Sequence, residues 1–222
     1  MFSFFKSPGK NKQAFTIAFY NLENLFDTKK DPKILDTDFT PNGKKHWNYK
    51  RYKRKINKLS TVISQIGTKR SYFSPAIVGV AEVENETVLS DLIGTINLKN
   101  EHYGIVHYNS PDERGIDVAL LYKKELFELL HSETFTLYIE NEFGERDFTR
   151  DVLLVKGNLN GELMHILINH WPSRRSGEDV SEEKRIKAAE LVTSIVHKIN
   201  EETTNAKIIV MGDFNDNPTN IS

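Results

Sequence analysis

Four apolar runs in this sequence each end in a polar side chain that could bind a metal ion or move a proton. The runs FTIAFY, AIVGVA, HILIN and IIVMG are followed directly by Asn21, Glu82, His170 and Asp213. A further amide, Asn215, lies two residues after Asp213. Ligand sites in open α/β sheets form at the carboxyl ends of the strands. We therefore expect these five side chains to converge on one site.

Carboxylates and amides without thiols are the ligand set of a hard divalent cation. The sequence contains no cysteine, which excludes disulfides, thiolate metal sites and a cysteine nucleophile. Mg²⁺ or Mn²⁺, held together with waters and substrate oxygens, suits this set. Zinc is less favoured, because His170 has no partner histidine at ligand spacing. A divalent ion beside a carboxylate and a histidine indicates phosphoester hydrolysis, in which the metal polarises the phosphoryl group and the carboxylate activates water.

Arginines that could hold phosphate oxygens lie close to these side chains in the sequence. Arg174 and Arg175 follow His170 in the segment WPSRRSG, and guanidinium groups match the geometry of phosphate oxygens. A solvated loop is an equally good interpretation of these two residues. The segment RGID supplies Arg114 and Asp117, which are candidates for substrate binding and are also typical of a structural ion pair at the start of a strand.

A basic and aromatic run, KKHWNYKRYKRKINK over residues 44–58, is the local feature that favours nucleic acid. It holds eight Lys and Arg residues, with Trp47, Tyr49 and Tyr52 between them. Cations of this kind can neutralise a phosphate backbone while the aromatic rings stack on bases. The same pattern is typical of the solvated face of an amphipathic helix, so both interpretations stay open at this point.

The elements that must position these residues are a mixture of strands and helices. Strands are predicted at 15–21, 76–83, 116–122, 127–137, 148–159, 162–169 and 207–211, with turns at Glu142–Gly144 and Asn160–Gly161. Apolar residues at steps of three and four predict amphipathic helices over 52–66 and 186–199, the second beginning at a capping box of Asp179 and Glu182. A shorter helix is predicted over 86–96, and a long loop over 27–48. No domain boundary or internal repeat is evident.

The bulk properties fit a soluble chain of one large domain or two small ones. The chain has 222 residues and a net charge of −1, so a nucleic-acid partner must be argued from local patches. The apolar cluster before Lys6 is too short for a signal peptide, and no apolar run has transmembrane length. We predict a mobile segment over residues 1–14, one domain over 15–222, no membrane span and a cytoplasmic location.

Five motifs in order carry a resemblance to a known family. They are FYNLENLF, VGVAEVEN, RGIDVALLY, INHWPSRRSG and IVMGDFNDNP. In this order the chain resembles the endonuclease/exonuclease/phosphatase superfamily, the deoxyribonuclease-I-like metal-dependent phosphoesterases, from about residue 15 to residue 218. The resemblance implies an α/β fold, a four-layer sandwich of two mixed sheets packed face to face with helices outside.

The resemblance also implies a role for each strand-end residue. Asn21 and Glu82 correspond to residues at the metal ion. His170 corresponds to a histidine that contacts the scissile phosphate and acts as general acid. Asp213 corresponds to the aspartate that orients or deprotonates the attacking water, and Asn215 to the asparagine that contacts phosphate or metal.

One family motif is missing from this sequence. The last motif of the family is an aspartate followed by histidine, and no Asp-His dipeptide occurs here. We therefore expect a C-terminally truncated chain that lacks the last strands of its second sheet and hydrolyses its substrate poorly. Nucleic acid is the first candidate substrate, because of the basic run. The alternatives are a phosphatase or phospholipase-type hydrolase of the same superfamily, and a non-catalytic remnant that acts as a binding protein.

Overall fold

The computed structural model describes residues 14–141, 143–174 and 178–222, without the side chains of 178–180, and these residues form ten strands and four α-helices. The strands are β1 (Ile17–Leu25), β2 (Ile77–Val83), β3 (Tyr103–His107), β4 (Asp117–Lys123), β5 (Phe127–Phe135), β6 (Ile139–Glu140), β7 (Arg146–Asp147), β8 (Val152–Leu159), β9 (Glu162–His170) and β10 (Ile208–Asp213). The helices are α1 (Tyr49–Gln65), α2 (Thr68–Ser71), α3 (Glu86–Ile93) and α4 (Glu178–Glu202), with a short 3₁₀ helix at Thr37–Phe39. No helix in the described part of the chain is long and apolar enough to cross a membrane.

Eight of the strands form two mixed sheets of four strands each. The first sheet has the order β1-β2-β4-β3, and the second has the order β10-β9-β8-β5. In each sheet one edge pair is parallel, β1 with β2 and β10 with β9, while the remaining pairs are antiparallel. The strands β6 and β7 pair only with each other, as a small separate hairpin.

The two sheets pack against each other and carry helices on their outer faces. The core between the sheets joins β2 and β4 residues such as Ile77 and Leu120 to β8 and β9 residues such as Val155 and Ile168. The outer face of the first sheet packs on the apolar faces of α1 and α3, and that of the second sheet on α4. Helix, sheet, sheet and helix make the four layers of an α/β sandwich, as the resemblance implies.

Helix α1 forms where the apolar spacing predicts it. Its cap is Asn48, whose side-chain oxygen accepts a hydrogen bond of 3.1 Å from the backbone nitrogen of Arg51. The residues that it buries recur at steps of three and four, namely Tyr52, Ile56, Leu59 and Ile63. Each such side chain contributes about 1.5–3 kcal/mol when fully removed from water.

The structure differs from the sequence expectations at a few boundaries. The sequence does not predict β3, and β1 continues through Asn21 to Leu25 instead of ending there. Helix α3 ends at Ile93, before the predicted residue 96. The predicted turn between β8 and β9 is present, with Asn160 and Gly161 both at positive φ, as a two-residue hairpin turn of type I′ requires. The predicted capping box at the start of the last helix is wrong, because α4 already includes Glu178 and Asp179 therefore lies inside it. Residues 1–13 and Glu142 lie outside the described residues.

Candidate active site

Asn21 and Glu82 lie at irregularities in neighbouring strands. The register of β1 against β2 shifts between Asn21 and Leu25, and that of β2 against β4 shifts between Ala81 and Val83. Glu82 has a φ of 60°, in the left-handed region that non-glycine residues rarely adopt. A bulge redirects the side chain at its position. The two residues are therefore set by local departures from a regular strand.

The amide of Asn21 joins two carboxylates that come from different sheets. Its Nδ2 donates to Glu82 Oε1 at 3.2 Å and to Asp213 Oδ2 at 3.0 Å. Its Oδ1 accepts from the backbone nitrogen of Glu23 at 2.8 Å, which fixes the orientation of the amide. Because both carboxylates share this one nitrogen, Asn21 holds them close together.

The segment after β10 is held against the end of β9. Asp213 Oδ1 accepts from the backbone nitrogen of Asn215 at 3.0 Å, and Asn215 Nδ2 donates to the carbonyl of Trp171 at 2.9 Å. The backbone nitrogen of Trp171 donates to the carbonyl of Asp213 at 2.9 Å. Asn215 has a φ of 51°, which asparagine tolerates better than most residues. The amide of Asn215 is thereby fixed beside the carboxylate of Asp213.

His170 completes this group from the end of β9. Its Nε2 lies 3.7 Å from Glu82 Oε1, and its Nδ1 is buried with no hydrogen-bond partner in the described part of the protein. Burial, together with the nearby charges of Arg150 and Arg114, lowers the pKa of His170 to about 2. The imidazole of His170 is therefore neutral at neutral pH.

Arg150 is a residue of this region that the sequence motifs miss. Its Nε donates to the carbonyl of His170 at 3.1 Å, and its two terminal nitrogens donate to the carbonyl of Trp171 at 2.6 Å and to Asp112 Oδ2 at 3.1 Å. The Arg150 side chain is 5% exposed and pairs with Asp112. Its hydrogen bonds to the two carbonyls hold the backbone at the end of β9. Arg150 follows no apolar run. The sequence carries no signal for it, because its position depends on the pairing of β8 with β9.

Arg114 and Asp117 do not pair with each other. Arg114 pairs with Asp112 through contacts of 3.3 Å. Its positive charge contributes to lowering the pKa of His170. Asp117 is buried and bonds to His107 Nε2 at 3.0 Å and to the backbone nitrogen of Ser110 at 2.9 Å. Arg114 therefore lies within electrostatic reach of the site, whereas the carboxylate of Asp117 is engaged within its own sheet.

Arg174 reaches the loop that follows β10. Its Nε donates to the carbonyl of Asn215 at 3.1 Å, and its guanidinium pairs with Asp216 at 2.6 Å. Arg175, the other arginine predicted to bind substrate, lies outside the described residues. A cleft of about 550 Å³ is lined by residues that include Asn21, Arg174, Asp213 and Asn215, so these predicted residues open onto one space.

The donors at this site fit a divalent cation held by few protein ligands. In the described ranges no group of three or more His, Cys, Asp or Glu side chains is placed to enclose a metal ion. The carboxylates of Glu82 and Asp213 nonetheless share one amide, and the Glu82 side chain is 17% exposed. Mg²⁺ commonly takes one or two carboxylates and completes its octahedron with waters and substrate oxygens. The residue set therefore suits Mg²⁺ or Mn²⁺ and not a closed structural metal site.

A two-sheet α/β sandwich with a carboxylate, amide and histidine site at its strand ends defines a class of phosphoester hydrolases. The family model for the endonuclease/exonuclease/phosphatase family matches residues 16–222. The chain belongs to this family.

Solved structures with the same fold are distant in sequence. A humanized TDP2 of D. rerio is 15% identical, with a TM-score of 0.56, over 92% of this chain and 63% of that one. The β toxin of Staphylococcus aureus, as a β-hairpin deletion mutant, is 16% identical, with a TM-score of 0.63, over 94% and 70%. A mannosyl-6-phosphatase of Bacteroides thetaiotaomicron is 17% identical, with a TM-score of 0.56, over 94% and 68%.

These likenesses establish the fold alone. The chain spans between 46% and 63% of the length of the TDP2 structures that it matches. No curated protein matches the sequence closely enough to serve as a relative.

Proposed function

We propose that this protein is a divalent-metal-dependent phosphodiester hydrolase whose substrate is a nucleic acid. The observation that carries the proposal is the bridge from Asn21 Nδ2 to the carboxylates of Glu82 and Asp213, with His170 Nε2 at 3.7 Å from Glu82. Two close carboxylates, an amide and a neutral imidazole are the groups that metal-assisted attack of water on a phosphate requires.

Each residue has a distinct role in this proposal. Glu82 and Asn21 would hold Mg²⁺ or Mn²⁺, which when bound polarises the phosphoryl group and stabilises its developing charge. Each oxygen of Asp213 already accepts one hydrogen bond, from Asn215 or Asn21, and keeps a lone pair that can accept a proton from the attacking water. His170 and the amide of Asn215 would donate to the phosphate oxygens.

The choice of nucleic acid rests on the basic run of α1 and on a structural neighbour. One D. rerio TDP2 structure of the same fold is a complex with a single-stranded DNA product. A phosphomonoesterase is the second candidate, because the Bacteroides neighbour is named a mannosyl-6-phosphatase. The rates on bis-p-nitrophenyl phosphate and on p-nitrophenyl phosphate separate the two candidates.

The substitution Glu82→Gln tests the proposed metal ligand. It removes a negative charge with little change of shape, so Mg²⁺-dependent hydrolysis of the diester should fall by on the order of a hundredfold or more. Calorimetric titration with Mn²⁺ should show the same loss without relying on turnover. The matched control is Glu86→Gln, at an exposed residue in the first turn of α3. Equal Mn²⁺ affinity in wild type and Glu82→Gln would remove Glu82 as a ligand.

A further inference from the structure

A second cleft, of about 630 Å³, runs along α1 on the side that faces β1. We call it the α1 cleft. Its basic lining residues are Arg51, Arg54, Lys55 and Lys58. Their spacing of three, four and seven residues puts them on one stripe of the helix. Of the eight Lys and Arg residues in the basic run, these four line the cleft.

Among the described residues none of these four cations forms a salt bridge, although Glu23 also lines the cleft. Arg51 donates to the carbonyl of Lys45, and Lys55 donates to the carbonyl of Glu23. Lys53, one residue away from this stripe, instead pairs with Asp91 at 3.7 Å. The cleft is lined by four cations and by one carboxylate, Glu23, so its net positive charge favours the binding of a polyanion.

The same cleft has an apolar wall. Tyr20, Trp47 and Val62 contribute to it, and Val62 is 42% exposed. The indole of Trp47 is fixed in place, because its Nε1 donates to the carbonyl of Phe26 at 2.9 Å and its ring packs edge-on against Tyr52. A preformed apolar surface beside a row of cations suits a ligand that exposes both phosphates and flat rings.

The α1 cleft adjoins the active site. Glu23 lines it and accepts a hydrogen bond from Lys55 at its carbonyl, while the backbone nitrogen of Glu23 donates to Asn21 Oδ1 at 2.8 Å. Burial lowers the pKa of Lys55, and the carboxylates of Glu23 and Glu82 oppose that shift, so Lys55 lies within electrostatic reach of the proposed metal ligand. A chain that lay in the cleft could therefore continue into the site.

We propose that the α1 cleft binds the single-stranded segment that flanks the scissile phosphate of a nucleic acid, with its cations on the backbone and its apolar wall against the bases. This inference rests on the proposed function and adds the surface that holds the substrate. A duplex covers the faces of its bases, so it can use the cations but not the apolar wall.

Charge reversal in the cleft tests this assignment. The double variant Arg54→Glu/Lys58→Glu changes two exposed residues of the stripe, and the matched control Lys69→Glu/Arg70→Glu changes one Lys and one Arg on α2, outside the cleft. Binding of a labelled oligothymidine is measured by fluorescence anisotropy in chelator, over a series of salt concentrations. Thermal unfolding checks that both variants are folded.

The cleft variant should bind the oligothymidine about tenfold or more weakly, and the slope of log affinity against log salt should fall by about 0.7 per cation removed. The control variant should bind like wild type. The assignment is overturned if the two variants bind equally, or if duplex DNA competes as well as the single strand. A wild type that binds through the cleft but shows no Mg²⁺-dependent hydrolysis of bis-p-nitrophenyl phosphate would overturn the proposed function and leave the cleft as a binding site.

Discussion

Asn21 is the side chain that keeps two like charges side by side. Each carboxylate that it contacts, Glu82 and Asp213, gains one hydrogen bond from the same nitrogen. Two negative charges placed this close would otherwise repel each other. An amide at this position thus supports the ionised pair that a metal ion requires.

The substitution Asn21→Asp replaces the donating amide with a third carboxylate. Without metal, three carboxylates then lie within hydrogen-bond distance, and the protein should lose on the order of 1–3 kcal/mol of stability. With Mn²⁺ the extra anionic oxygen becomes a ligand, so the rise of the melting temperature with Mn²⁺ should be larger than in wild type. The measurement is thermal unfolding in chelator and in Mn²⁺.

Asn158→Asp provides the control for this experiment. Asn158 Nδ2 also donates to a carboxylate, Glu128 Oε2 at 2.9 Å, but at an exposed contact between β8 and the edge strand β5. Its substitution should change the melting temperature little, and equally with and without Mn²⁺. A Mn²⁺ response of Asn21→Asp no larger than that of wild type would contradict the proposed metal site.

Two elements, α4 and the loop after β10, are joined through one carboxylate. Asp216 accepts from Arg185 Nε at 2.9 Å and pairs with Arg174 at 2.6 Å, and it also accepts from Asn220 and Ser222. The Arg185 side chain is fully buried and that of Asp216 is 4% exposed. This pair fixes the loop that carries Asn215.

Asp216→Asn should destabilise the protein by on the order of 3 kcal/mol, because it leaves the buried guanidinium of Arg185 without its countercharge. Asp147→Asn is the control, since it breaks a more exposed pair with the neighbouring residue of α4, Lys184. That substitution should cost about 1 kcal/mol or less. Urea unfolding measures both, and equal costs would contradict a special role for Asp216.

The stability of Asp216→Asn should also depend on pH differently from that of wild type. Burial raises the pKa of Asp216, but hydrogen bonds from Ser222, Arg185, Asn220 and Arg174 outweigh it, so the net pKa lies below the usual value. Its contribution is therefore complete above the unfolded pKa of about 3.9 and is lost as the pH falls below that value. The stability of wild type should decline more steeply than that of Asp216→Asn as the pH falls below about 4.

At the scale of elements, the sequence predicts the features that depend on the local spacing of apolar residues and on the residues of a turn. The stripe from Tyr52 to Ile63 and the Asn160–Gly161 turn follow from spacing and from backbone preference. Strand β3 does not, because its five residues, YGIVH, are too few to show an alternation. The bulge that lets β1 continue past Asn21 depends on its pairing with β2, which no short segment encodes.

The candidate site was predictable in its residues but not in its contacts. Strand ends and motifs indicate Asn21, Glu82, His170, Asp213 and Asn215, which the structure brings together. The hydrogen bonds that join them cross from one sheet to the other, and the sequence does not encode how the sheets are placed. Arg150 was missed for the same reason, since its partners belong to the neighbouring strand.

At the scale of the whole molecule, the two sheets come close together at a glycine. A Cβ on Gly79 of β2 would lie 2.8 Å from Met211 Cε and 3.3 Å from Ile168 Cγ1, both in the second sheet. The first contact is closer than real Cβ atoms come, although the methionine end is flexible. The spacing between the sheets therefore depends on the absence of a side chain at residue 79.

Gly79→Val should cost about 1–3 kcal/mol through overpacking between the sheets. Met211→Ala in the same chain opens the space that the valine needs, so the double variant should be more stable than the sum of the two single costs predicts. Denaturant unfolding of the four proteins in this cycle measures the coupling. Strictly additive costs would show that the sheets adjust without involving Met211.

The bridge from Asn21 to Asp213 joins residues 192 positions apart in the chain. The first strand is synthesised long before the last, and contacts of such separation form late, because a long loop must close before they are made. A nascent or half-folded chain therefore lacks the assembled candidate site, which forms only when both sheets have come together. If the proposed hydrolysis is measured during biosynthesis, its onset should therefore coincide with the completion of folding.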